Sequence, residues 1–253
     1  MRTIGIIPAR YASTRFPGKP LVDIFGKPMI QRVYESVKAS NLLDEVWVAT
    51  DDERIVEVLK SKSIPYIETS NTIKTGTERI IQASKQLKTL KPTDIVINIQ
   101  GDEPFISKKH ISLLLTAFQD KETQIASLRK KIEHLPQLLS PNTVKVVCDN
   151  RNFAHYFSRS IIPYVRDYPQ DQWMNHVDFF KHIGIYGFRF DILTEIECLN
   201  ITNHEMAESL EQLTWLDNSY RIKMLVTEEE TPSIDTPKDL ELLLRSRAEQ
   251  FKL

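Results

Sequence analysis

Arg10, Arg15 and Lys19 recur at near-regular intervals just beyond the apolar run Ile4-Gly5-Ile6-Ile7, with small Ala12, Ser13 and Gly18 among them. Cations so spaced on a loop suit a polyphosphate, since guanidinium and ammonium groups donate charge-assisted hydrogen bonds to phosphoryl oxygens. The alternative is three solvated surface charges. Neither G-x-G-x-x-G nor G-x-x-x-x-G-K-[ST] occurs, so side chains must carry the charge that glycine amides and a helix N-terminus carry in those loops. A second group is Gln100-Gly101-Asp102-Glu103-Pro104. Asp102 either holds Mg²⁺, which takes one or two carboxylates plus phosphate oxygens and water, or bonds the amides of its own turn. Asp235, before Thr236-Pro237, is either a second ligand or a helix-terminus residue.

Four further positions stand out. Thr75-Gly76-Thr77-Glu78-Arg79 opens a helix, with Thr77 a candidate cap and Gly76 open to close backbone approach. Arg159, in an otherwise aromatic segment, needs an anionic partner because a buried unpaired cation is costly; a ligand carboxylate or a protein carboxylate would serve. His182 stands beside Ile183-Gly184, and no Ser-His-Asp order or zinc spacing recruits it. Glu211-Gln212 lie beside Leu210 and Leu213 on a helix.

Elements must position these groups. The spacing predicts strands over 4–7, 45–51, 66–69 and 94–100, the first stopping at Pro8, which lacks an N–H. Helices are expected from Pro28 to about Ser40, over 52–59, 78–87 and 107–118. Strands alternating with helices in this way mean a doubly wound, mostly parallel α/β sheet. Right-handed crossovers then bring loops 8–19, 50–52, 69–77 and 100–105 to one edge, outside the strands' carboxyl ends where ligands bind. The second half differs. Strand candidates at 143–148, 156–159 and 181–188 lack long intervening helices and predict a mixed or antiparallel C-terminal extension. A helix over 206–217, a strand over 223–226 and a helix capped by Thr236 complete the chain.

With 253 residues, 41% of them hydrophobic, the chain can form a substantial core, and no Pro- or Gly-rich linker divides it. It is expected to be one domain of two halves, 1–125 and 126–253. A net charge of -1 argues against a nucleic-acid binder. No stretch is long enough for a membrane span or patterned as a signal peptide. Cys148 and Cys198 fit no C-x-x-C pattern and read as reduced thiols of a cytoplasmic protein.

Taken together, the motifs resemble the 3-deoxy-manno-octulosonate (Kdo) cytidylyltransferase family. The resemblance is carried in order by 6–21, Val48-Ala49-Thr50-Asp51, Gly76-Thr77-Glu78-Arg79, 98–104, 141–147, 156–163, 182–189, Leu210-Glu211-Gln212-Leu213 and 234–240. It departs at Thr214, where Arg is common, at Ser233, where Gly is common, and mildly at Thr75 and Phe188. The resemblance implies transfer of the cytidylyl group of CTP to the anomeric hydroxyl of Kdo with release of pyrophosphate, for lipopolysaccharide biosynthesis. An 8-amino-Kdo or another 2-keto sugar acid is the alternative acceptor. It implies Mg²⁺ on Asp102 and Asp235, with Arg10 and Lys19 also catalytic. The nucleotide would be bound by Pro8, Ala9, Arg10, Ser13, Arg15, Lys19, Asp51, Gly76, Thr77, Arg79 and Gln100. The acid would be bound by Arg159, His182, Tyr186, Glu211 and Gln212. It further implies a homodimer, for which Ile183, Ile185, Tyr186 and Phe188 offer an apolar strand face.

Overall fold

The computed structural model describes residues 1–12, 16–230 and 232–247. They form two compact units, one of residues 1–108 joined by the C-terminal stretch, the other of residues 109–230.

The first unit opens with β1 (Thr3–Ala9), the hairpin β2 (Asp23–Ile24) and β3 (Lys27–Pro28), and helix α1 (Met29–Ala39). Then come β4 (Glu45–Thr50), α2 (Glu53–Ser61), β5 (Tyr66–Glu68), α3 (Gly76–Gln86) and β6 (Ile95–Asn98). The strands lie in the order β6-β1-β4-β5, all parallel. Ile4, Ile6 and Ile7 of β1 and Ile95, Val96 and Ile97 of β6 are fully buried, each such side chain contributing about 1.5–3 kcal/mol. Helix α1 buries Met29, Ile30, Val33 and Val37, one face at helical spacing.

β1 does not stop at Pro8: Pro8 pairs with Ala49 and Ala9 with Thr50. The even-numbered residues of β1 turn their backbones toward β6, as the bond from Ile99 N to Ile6 O shows. The donor that Pro8 lacks therefore points away from β4, and that ladder runs on. A second correction concerns α3, which starts two residues earlier than its periodicity predicts. Its cap is Thr75, not Thr77: Thr75 Oγ1 accepts from Glu78 N at 3.1 Å and Glu78 Oε2 from Thr75 N at 3.3 Å, a capping box.

The second unit contains α4 (Lys108–Ala117), β7 (Ile125–Lys131), α5 (Leu135–Leu139), β8 (Lys145–Cys148), β9 (Ala154–Ser158) and β10 (Phe180–Arg189). Helices α6 (Phe190–Ile196), α7 (Asn203–Glu208) and α8 (Glu211–Asp217) and strand β11 (Ile222–Val226) follow. Its sheet is mixed: β11 is parallel to β7, β10 antiparallel to β7 and β8, and β9 antiparallel to β8. The single helix expected over 206–217 is two, because Ser209 takes a left-handed conformation (φ 53°) and ends α7. Ile183, Ile185, Tyr186 and Phe188 are all buried, so the apolar face expected to serve an interface is core instead. The chain then returns to the first unit with α9 (Pro237–Arg247).

Candidate active site

Gly18 turns the chain after the basic loop. It has φ 72°, its N–H bonds Tyr11 O at 2.9 Å, and a Cβ there would lie 3.1 Å from the Tyr11 ring. The next residue, Lys19, begins a 3-10 turn and is mostly buried. Its Nζ donates to Asp102 Oδ2 at 2.8 Å and to Asp235 Oδ1 at 3.4 Å. Asp102 follows β6 on a turn that admits only glycine before it, since a Cβ at Gly101 would meet Pro8 O at 2.6 Å. Ile234 N donates to Asp102 O at 2.9 Å, which ties the approach to Asp235 onto the same turn. Asp239, in the first turn of α9, accepts from Asp235 N, Thr236 N and the Thr236 hydroxyl at 3.1, 2.8 and 2.8 Å. Asp235 is thus both a helix-terminus residue and half of a carboxylate pair, with its side chain on Lys19.

Two carboxylates already sharing one cation form a donor set that fits a divalent ion. Among the described residues no cluster of three or more His, Cys, Asp or Glu could hold a metal alone. A hard cation here would take its remaining oxygens from substrate and water, as Mg²⁺ does.

The other nucleotide candidates lie around the same edge. Pro8 and buried Ala9 end β1, and Arg10 is exposed with Nη1 donating to Lys74 O at 3.0 Å. Gly76 is exposed at the start of α3, Thr77 is half-buried beside it, and half-buried Gln100 follows β6. Arg79 is turned inward. It is 2% exposed, pairs with Asp51 Oδ1 at 3.2 Å and donates to Thr69 Oγ1 at 2.6 Å, fixing the ends of β4 and β5. Ser13 and Arg15 lie outside the described residues.

In the second unit, Arg159 Nε donates to Glu208 O at 2.7 Å and Nη1 to Pro141 O at 3.1 Å. Among the described residues no protein carboxylate pairs with its guanidinium. Glu208 also accepts from Arg159 N at 2.8 Å and from the Ser158 hydroxyl at 2.5 Å. Lys145, fully buried, completes the mount by donating to Arg159 O, Thr143 O and Ser140 O at 2.7, 2.8 and 2.9 Å. Burial lowers the Lys145 pKa, opposed by nearby Glu208. Lys145→Met would strand three carbonyls. We expect it to destabilise the protein by roughly 2–4 kcal/mol, read as a lower denaturant midpoint.

His182 and Tyr186 project from β10, and their rings lie 5.2 Å apart. Trp215 of α8 packs edge-on against Tyr186 at 5.2 Å. Burial drives the His182 imidazole down to about 3, so the ring is neutral near pH 7. Burial, reinforced by the Glu211 charge, holds the Tyr186 phenol well above its ordinary range, so it stays a donor. Tyr186 Oη and Gln212 Nε2 are buried with no hydrogen-bond partner among the described residues. Native interiors seldom leave such atoms unpaired, and each is a pointer to a ligand. Thr214 faces elsewhere: its hydroxyl accepts from Thr202 N at 3.1 Å, joining α8 to the cap of α7. Burial pushes the Cys148 thiol up to about 11, so it supplies no thiolate near neutrality.

Glu208 and Ser127 (which bonds His182) carry no local motif in the sequence, and Lys145, within the segment 141–147, is not among the site residues the resemblance implies. The bonds of Glu208 to Arg159 and Ser158 span 49 and 50 residues, and those of Ser127 to the β10 segment span 55 to 58.

A parallel sheet whose carboxyl edge sets lysine against paired carboxylates, in a chain lacking a nucleophile motif, is the layout of a nucleotidyl-transferring enzyme. The family model described as Cytidylyltransferase matches residues 4–224. A 3-deoxy-manno-octulosonate cytidylyltransferase from Parabacteroides distasonis is 50% identical over 96% of this chain and 97% of its own. One from Thermodesulfovibrio yellowstonii is 45% identical, covering 96% of each. A solved structure of CMP:2-keto-3-deoxy-manno-octonic acid synthetase complexed with CTP superposes with a TM-score of 0.90 at 38% identity, covering 99% of this chain and all of that one. The chain belongs to the 3-deoxy-manno-octulosonate cytidylyltransferase family.

Proposed function

We propose that this protein transfers the cytidylyl group of CTP to the anomeric hydroxyl of Kdo, giving CMP-Kdo and pyrophosphate for lipopolysaccharide assembly. The observation that carries the reading is the Lys19–Asp102–Asp235 cluster, in which one ammonium holds two carboxylates at the carboxyl edge of a parallel sheet. Attack of a hydroxyl on an α-phosphate with pyrophosphate leaving in line needs chiefly positioning and charge neutralisation. Arg10 and Lys19 supply positive charge for the triphosphate, and Ser13 and Arg15, which lie between them in the sequence, are assigned to it as well. Pro8, Ala9, Asp51, Gly76, Thr77, Arg79 and Gln100 form or brace the nucleotide's surroundings. Asp102 and Asp235 would hold Mg²⁺, which when bound neutralises phosphoryl charge and makes a neighbouring hydroxyl more acidic.

The acceptor reading rests on Arg159, whose guanidinium is fixed by carbonyls yet pairs with no protein carboxylate among the described residues, as a sugar-acid carboxylate requires. Tyr186 and Gln212 offer unpaired donors, and His182 and Glu211 complete the set.

CTP-dependent pyrophosphate release tests the proposal, assayed with Kdo, 8-amino-Kdo and a sialic acid, each with and without Mg²⁺. Release with Kdo that requires Mg²⁺ is the expected result. Turnover with 8-amino-Kdo alone would move the assignment to that acid, and no turnover with either would overturn it. Among the described residues no helix is long and apolar enough to cross a membrane. A cytoplasmic homodimer remains part of the reading, and light scattering after gel filtration tests the dimer.

A further inference from the structure

Strand β10 breaks register against β7: Ile183 pairs with Leu128 and Tyr186 with Ser127, so Gly184 and Ile185 bulge out. Bulges re-aim side chains, and this one also gathers backbone oxygens. Ser127 Oγ, fully buried beneath it, lies 2.9 Å from Ile185 O, 3.2 Å from Ile183 O and 2.9 Å from His182 Nε2.

A serine hydroxyl has one proton to donate. If it went to Nε2, two carbonyl oxygens would face Oγ with no hydrogen between them. If it is shared between the carbonyls, no contact sets two bare acceptors face to face, provided Nε2 carries a hydrogen and donates it to Oγ. The second arrangement is the favourable one. It makes His182 a neutral Nε2–H imidazole, in keeping with the lowering of its pKa by burial. Nδ1 then carries a lone pair, and no protein atom among the described residues bonds it. A group meeting Nδ1 must be a donor.

We propose that Ser127 is a positioning residue that locks His182 as the Nε2–H tautomer, so that Nδ1 accepts a hydrogen bond from a hydroxyl of the acceptor sugar. This builds on the acceptor reading above and assigns His182 a polarity: it recognises a hydroxyl, not a carboxylate or phosphate. A neutral ring of such low basicity serves as a hydrogen-bond acceptor rather than as the base that deprotonates the attacking oxygen.

Long-range ¹H–¹⁵N spectra of the full-length protein report the tautomer directly. The expected pattern for His182 is a protonated Nε2 and a bare Nδ1, and an Nδ1–H pattern overturns the proposal. Ser127→Ala should mix the tautomers and raise the KM for Kdo about tenfold, with kcat and the KM for CTP little changed. Ser127→Thr keeps the hydroxyl and should restore both the single tautomer and the KM. An unchanged KM for Kdo in folded Ser127→Ala, its fold checked by its unfolding midpoint, also overturns the proposal. Because the tautomer is read on the free protein, it stands or falls apart from the identity of the acid.

Discussion

Asp102→Asn should leave the protein folded and lower kcat by roughly 10²-fold or more, the scale of losing one electrostatic contact of the transition state. The fold survives because what builds the turn is backbone. Gly101 packs against Pro8 O, and Asp102 contributes its carbonyl, not its side chain, to the bond with Ile234 N. An asparagine Oδ1 can still accept from Lys19 Nζ, so even that contact survives in neutral form. What is lost is one of two negative charges, and with it the donor strength that a hard divalent ion requires. Saturating Mg²⁺ titrations alongside thermal unfolding separate the two effects. We expect an unchanged midpoint, a large loss in kcat and a higher Mg²⁺ requirement. Full activity would remove Asp102 from the reacting centre.

Arg159→Ala should act on the acceptor. We expect the KM for Kdo to rise by roughly 30- to 100-fold, the value of a charge-assisted hydrogen-bonding pair, with the KM for CTP within about twofold. Glu208 keeps its bonds to Ser158 and to the backbone N–H of residue 159 in the variant, and Lys145 keeps its bond to the carbonyl. The mount therefore stays in place while its cargo is removed. Arg159→Lys should recover only part of the loss, since an ammonium cannot reproduce a bidentate fork. A change confined to the CTP KM would show that Arg159 faces the nucleotide instead.

Much of the first unit was legible in the sequence. β1, β4 and β6 are short, largely apolar runs, the helices between show one buried face, and crossover handedness brings Lys19 to Asp102 across 83 residues. The misses have local causes. Strand β7 hides because Ser127 interrupts its apolar run and Arg129-Lys130-Lys131 ends it, although residues 125–128 are buried. The pair α7–α8 reads as one helix because Met206 and Leu210 stand four apart across Ser209 and Leu213 and Leu216 continue the spacing, while nothing in the pattern announces the left-handed backbone of Ser209. Asp102, Asp235 and Arg159 could be singled out because a charge at a strand end or in an aromatic run is conspicuous. Ser127 and Glu208 could not, because their partners are set by strand register and by a helix end distant in the chain.

The unpaired donors Tyr186 Oη and Gln212 Nε2 have one more consequence. Each costs the free protein on the order of 1–3 kcal/mol of desolvation that no bond among the described residues returns. A ligand bearing acceptors at both points relieves both; one lacking either leaves a donor stranded and is rejected by a similar amount. At these two atoms conformational stability and discrimination are therefore opposed, and an apolar replacement that tightened the fold would make the enzyme less selective.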